Sequence, residues 1–150
     1  MVTASGRRTT TGPGDSAVLP RAAGALLAVL LLGGCGASAA REDGAADAGR
    51  RFAAALSAGD YRTGCALLAP DTREQVEEDG RTPCRTGLRE AGLATAVPVR
   101  AVAVYGQEAQ LRMTGDTVFL SRFDGGWLVT AAGCEARGAD EPYRCAVQGG

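Results

Sequence analysis

The hydrophobic period of this chain changes once, near residue 97, and that change decides the fold class. Between residues 42 and 91 apolar side chains recur at helical spacing, whereas from Val97 onward they alternate. Helices grouped first and strands grouped second require an α+β domain, not an alternating α/β one. In the helical half, a first helix is expected over 42–58. Phe52 and Leu56 lie four apart, Ala45, Ala48 and Ala55 extend the same face, and Asp47 with Arg51 makes an opposite-charge pair elsewhere on the helix. Gly59 is a natural stop, and Asp60 can cap a second helix over 61–68 that Pro70 ends. Asp71, with Glu74 three residues later, reads as a capping box for a short acidic helix to residue 79. A further turn or two of helix follows Pro83, up to residue 91.

In the alternating half, Val99, Ala101, Ala103 and Tyr105 share one face of a strand. Ala109, Leu111 and Met113 share a face of the next, with Gln110 and Arg112 opposite. The runs 117–123 and 127–132 are more evenly apolar, as inner strands are. Gly106-Gln107, Gly115-Asp116 and Asp124-Gly125-Gly126 punctuate the runs, and the last is a strong hairpin signal. The expectation is a four-strand antiparallel meander on which the N-terminal helices pack. The tail over 143–147 either returns as a short strand or stays extended.

Composition narrows the chemistry. The 150 residues suit one modest domain, and they include no His, Lys, Asn or Ile. That set of absences marks a high-GC genome first, but its chemical consequences hold regardless. Without His there is no Ser-His-Asp or Cys-His nucleophile and no His-ligated metal; without Lys there is no Schiff base and no Walker A loop. A net charge of −1 with scattered arginines argues against a nucleic-acid surface. Ala (29) and Gly (22) are so abundant that the core must be thin, because small side chains bury little apolar area each.

Arg7, Arg8 and Arg21 precede an apolar run of 11 residues, AAGALLAVLLL, over 22–32. A spanning helix needs about 20 apolar residues, so the run reads as a signal-peptide core. It ends in Leu32-Gly33-Gly34-Cys35, which resembles the lipobox of bacterial lipoproteins. The resemblance implies a diacylglyceryl thioether on Cys35, cleavage after Gly34, and a lipid-anchored protein on the extracytoplasmic face of the cell membrane. Two acyl chains hold stably where one is marginal. The expected organisation is a signal peptide over 1–34, the lipidated Cys and a flexible tether over 35–41, and one extracytoplasmic domain over 42–150. The competing reading is an uncleaved signal with an incidental Cys. Arg7-Arg8 lies 13 residues before the apolar core and lacks the hydrophobic residues of a twin-arginine signal, and Val18 is a candidate true start. Removing residues 1–34 leaves a net charge of −3.

Cys65, Cys84, Cys134 and Cys145 then remain, an even number in a chain that leaves the reducing cytosol. Four thiols allow three pairings. Cys65 with Cys84 and Cys134 with Cys145 is favoured, because each pair falls within one structural neighbourhood. The other reading, a metal or redox site, lacks both a CxxC spacing and any His.

Helices followed by a meander, with FAAALSAGDYRTGCALLAP over 52–70, resemble the nuclear transport factor 2-like (NTF2-like) superfamily, whose first two helices meet at a Gly-Asp turn. The segment GDTVFLSRFDGGWLVTAAGC over 115–134, together with the four-cysteine plan, is similar to small actinobacterial lipoproteins. What the first resemblance implies is a curved sheet wrapped against helices as a cone that can enclose an apolar pocket. Phe52, Tyr105, Phe119 and Trp127 are the candidates to line it; the plainer reading makes them the core itself. Enzymes of the superfamily use Asp, His or Tyr inside the cone, and no catalytic residue carries over to this chain.

The remaining polar groups have plain explanations. Asp60 and Asp71 sit at helix starts and Asp116 and Asp124 at turns. The acidic run Glu74, Glu77, Glu78 and Asp79 lacks calcium-loop spacing and reads as a solvated helix face. Arg100, Arg112 and Arg122 fall on strands; sharing an outward face, they could meet lipid head groups or a polyanionic polymer. The expected function is a lipid-anchored, non-catalytic binding or accessory module, attached to the membrane through Cys35 and engaging a protein or small-molecule partner. The alternative is an NTF2-like enzyme with a buried Asp or Tyr acting as acid and base on a hydrophobic substrate. No catalytic residue, metal, cofactor or nucleic-acid partner is assigned.

Overall fold

The computed structural model describes residues 21–94 and 98–149, with side chains from Gly36 onward. Arg7, Arg8 and Val18 lie outside the described residues, as does the side chain of Cys35. The chain divides into two compact units, Met1–Gly34 and Cys35–Gly150. Four helices come first, α1 (Arg21–Ser57), α2 (Tyr61–Ala66), α3 (Pro70–Gly80) and α4 (Cys84–Glu90). Five strands follow, β1 (Val99–Tyr105), β2 (Glu108–Met113), β3 (Asp116–Phe123), β4 (Gly126–Cys134) and β5 (Val147–Gln148). They form one open antiparallel sheet in the order β1-β2-β3-β4-β5. Among the described residues no helix is long and apolar enough to cross a membrane.

One side of the sheet and the apolar stripes of the helices share a single core. From α1 come Ala45, Ala48, Phe52 and Leu56; from the strands come Ala109, Leu111, Val118, Leu120, Trp127 and Val129. With so many alanines on α1, the helix approaches the sheet closely. A Cβ on Gly49 would meet the end of the Leu111 side chain, so glycine here leaves that leucine room to pack against the helix. Leu68, Val76 and Leu88 carry the core across the shorter helices.

One edge of the sheet is covered along its length. On the outer side of β4, the amide of Val129 donates to Leu67 O at 2.9 Å and the amide of Ala69 donates to Val129 O at 2.8 Å, so the α2–α3 connection covers that edge. Further along, β5 pairs Val147 with Ala132 and Gln148 with Ala131. Thr72, buried in α3, donates its hydroxyl to Thr130 O at 3.0 Å and fixes the helix to the same strand.

Several expectations change. The sheet has five strands, not four, because the Cys134–Cys145 bridge returns the tail alongside β4. Residues 36–41, expected as a flexible tether, lie within α1, where Ala37, Ala39 and Ala40 favour helix. The Asp47 partner is Arg50, one turn on, not Arg51. Pro70 opens α3 at its first position with Ala69 as the cap residue, so Asp71 sits inside the helix and makes no cap. On β1 a register shift between Val99 and Ala101 reverses the phase: Val102 and Val104 face the core opposite Leu111 and Ala109, while Ala101, Ala103 and Tyr105 point away.

Candidate functional site

The four aromatic side chains expected to line one pocket do not meet. Phe52 and Trp127 are buried in the core, at 2% and 5% exposure, and fill the interior together with Leu111 and Leu120. Phe119 lies between Val118 and Leu120, whose side chains face the helices, so strand alternation turns it to the opposite face. There it meets the Tyr143 ring edge to face at 5.1 Å, and Gln110 donates to the Tyr143 hydroxyl at 3.0 Å. Tyr105 is 70% exposed. The evenly apolar β3 gave no sign of which residues face inward, and the β1 register shift left no mark in the alternation.

Among the described residues, Asp116 is the buried carboxylate. Its Oδ1 accepts from the amide of Cys134 at 3.0 Å, tying the start of β3 to the end of β4. Desolvation pushes its pKa up, against the pull of the backbone donors of Cys134, Thr117 and Gly133. The geometry is that of a strand-end tie: Asp116, expected at a turn, opens β3 instead, and its carboxylate serves a strand 18 residues on.

The arginines expected on one outward strand face are dispersed. Arg112 points away from the helices and Arg100 donates to the Thr114 hydroxyl. Arg122 pairs opposite Trp127 on the helix side, five residues along β3 from the Arg112 partner Thr117, about 17 Å away.

A different set of arginines is gathered by the short helices. The Cys65–Cys84 bridge joins α2 to α4, with Cα atoms 6.1 Å apart. α4 in turn lies close against α3, because a Cβ on Gly87 would fall 2.9 Å from the Val76 carbonyl oxygen. The surface over the bridge forms two adjoining grooves of about 490 and 430 Å³, which share Arg62, Pro83 and Arg85. Arg73 and Glu77 line the first, Asp60 and Arg89 the second.

Both carboxylates in these grooves are engaged. Asp60 caps α2, accepting from the Thr63 amide at 3.1 Å and the Thr63 hydroxyl at 2.6 Å. The Thr63 hydroxyl does most to hold the Asp60 carboxyl below its ordinary value, followed by the Thr63 amide; the nearby Arg62 charge adds a smaller pull. Glu77 pairs with Arg73 at 3.5 Å and accepts from the Cys84 amide at 3.3 Å. Arg62, Arg85 and Arg89 are exposed and make no ion pair among the described residues. Sequence reading missed this cluster because its members are spread over residues 62–89 and converge only through helix packing and the bridge.

A separate groove of about 790 Å³, lined by Gly49, Ala53, Ala54, Ala58, Pro98 and Val99, runs between α1 and β1 and is mainly apolar. The two disulfides, Cys65–Cys84 and Cys134–Cys145, fit an extracytoplasmic protein. No family model, curated protein or solved structure matches the chain.

Proposed function

We propose that this chain is a lipid-anchored extracytoplasmic binding module, held to the membrane through a diacylglyceryl group on Cys35 after removal of residues 1–34. The observation that carries the binding reading is the filled interior: Phe52, Leu111, Leu120 and Trp127 occupy the space that an NTF2-like catalytic cone would keep open. The enzyme reading asks for a buried Asp or Tyr in an open cone; the buried Asp116 is tied to the Cys134 amide, and Tyr105 is exposed on the far face. Surfaces available to a partner are therefore the grooves over the helices. The order of helices before a meander supports an NTF2-like relationship.

Support for anchoring comes from the lipobox-like Leu32-Gly33-Gly34-Cys35 and from the second compact unit beginning at Cys35. The test is metabolic labelling with a radioactive fatty acid. Wild type takes up label and Cys35→Ala does not; equal labelling of the two overturns the anchor.

A further inference from the structure

We infer that the paired grooves over the Cys65–Cys84 bridge bind a soluble phosphate-rich polyanion, with Arg62, Arg85 and Arg89 as its contacts.

Guanidinium groups match phosphate oxygens bidentately and carry their charge at every physiological pH. The carboxylates beside them, Asp60 and Glu77, keep their charge while hydrogen-bonded to Thr63 and to Arg73 and Cys84, so they offset two of the arginines and no more. The lining of the two grooves holds four arginines against these two carboxylates, a local excess of two positive charges in a chain of net charge −1. Arg62 lies one helical turn before Cys65, and Arg85 directly follows Cys84. The covalent bridge therefore sets the spacing between the two backbones before any ligand arrives, which lowers the ordering cost of binding. Two adjoining grooves sharing Arg62 and Arg85 suit a ligand with several anionic groups in a row, not a single phosphate.

Geometry distinguishes the source of the phosphate. The second groove is lined by Gly59 and Asp60, just beyond the C-terminal end of α1. From Cys35 to Ser57 the helix rises about 33 Å. On the reading of Cys35 as the anchor, the arginines lie at the opposite end of this helix from the lipid, which lets them stand up to about 33 Å from the membrane that holds the protein. The proposal therefore commits to a soluble chain of phosphate groups, and binding to phospholipid is the outcome that the vesicle arm tests.

The experiment is calorimetric titration of the full chain in nonionic detergent with a short-chain inorganic polyphosphate, with anionic phospholipid vesicles in a parallel arm. Wild type binds polyphosphate, and more weakly as salt rises. Arg62→Glu with Arg85→Glu weakens binding by about tenfold or more, whereas the charge-matched Arg100→Glu with Arg112→Glu changes it less than about twofold. Circular dichroism and thermal melting of each variant confirm that the fold is retained, and Arg62→Gln with Arg85→Gln repeats the test with a smaller charge change. Absence of binding by wild type, equal loss in the two charge-reversed pairs, or tighter binding to vesicles than to polyphosphate overturns the inference. Cys35→Ala binds polyphosphate as wild type does, so a failed anchor and a failed groove give different results.

Discussion

The Cys65–Cys84 bridge closes 19 residues of chain, and its removal tests how this Ala- and Gly-rich domain is held together. In the chain-entropy treatment, opening a loop of that length returns about 3 kcal/mol of freedom to the unfolded state. Replacing both cysteines by alanine also deletes two buried sulfurs, at 6% and 4% exposure, against Leu56, Leu68 and Leu88 of the same core. Cys65→Ala with Cys84→Ala is thus expected to lose about 3 to 4 kcal/mol, a large part of a typical domain stability of about 5 to 15. For a domain of this size each kcal/mol shifts the melting temperature by about 4 °C, so the variant melts about 12 to 16 °C lower. Trp127, the single tryptophan and 5% exposed, reports unfolding by fluorescence in a urea titration. A loss below about 1 kcal/mol would refute the reasoning, since it would mean that the helices keep their mutual contacts in the unfolded chain without the bridge.

Two further outcomes follow from packing and from charge. Gly87→Ala is expected to destabilise by about 2 kcal/mol in the same titration although alanine favours helix by about 1 kcal/mol, because the new Cβ meets the Val76 carbonyl and forces α3 from α4; an increase in stability would contradict the close approach. Asp116 has a folded pKa raised above its unfolded value of 3.8, chiefly by desolvation, so its contribution is full when it is protonated and is lost as pH rises through the raised folded value. Asp116→Asn keeps an oxygen for the Cys134 amide and removes the titration, so its stability relative to wild type should improve between about pH 3 and about pH 7; no change in the difference across that range would refute the buried-charge account.

How much of this was legible in the sequence depends on whether the signal was local. The change of period near residue 97 separated helices from strands, and Asp60 was readable as a cap because its partner Thr63 lies three residues away. The bridges were readable because each joins cysteines in one neighbourhood. Facing was not readable where it depended on register. Tyr105 and Phe119 belong to strands whose inward residues are chosen by a shift at Val99 and by the even apolarity of β3. The α3 start was misread for a related reason: Pro70 both ends one helix pattern and opens the next, and φ restriction alone does not say which.

The composition that first marked a high-GC genome also explains why the candidate site takes the form it does. A core of many alanines gives each helix little apolar area with which to hold its place, and α2 and α4 are only 6 and 7 residues long. Helices that short do not keep a fixed spacing by packing and propensity alone. The bridge supplies that spacing, and with no Lys or His in the chain every cation it positions is an arginine. Stability and the arginine array therefore share one covalent device: reducing the Cys65–Cys84 bond is expected to loosen the fold and the Arg62–Arg85 spacing together. A variant that lost the bridge yet regained stability by better packing elsewhere would keep the fold and still lose the fixed arginine spacing.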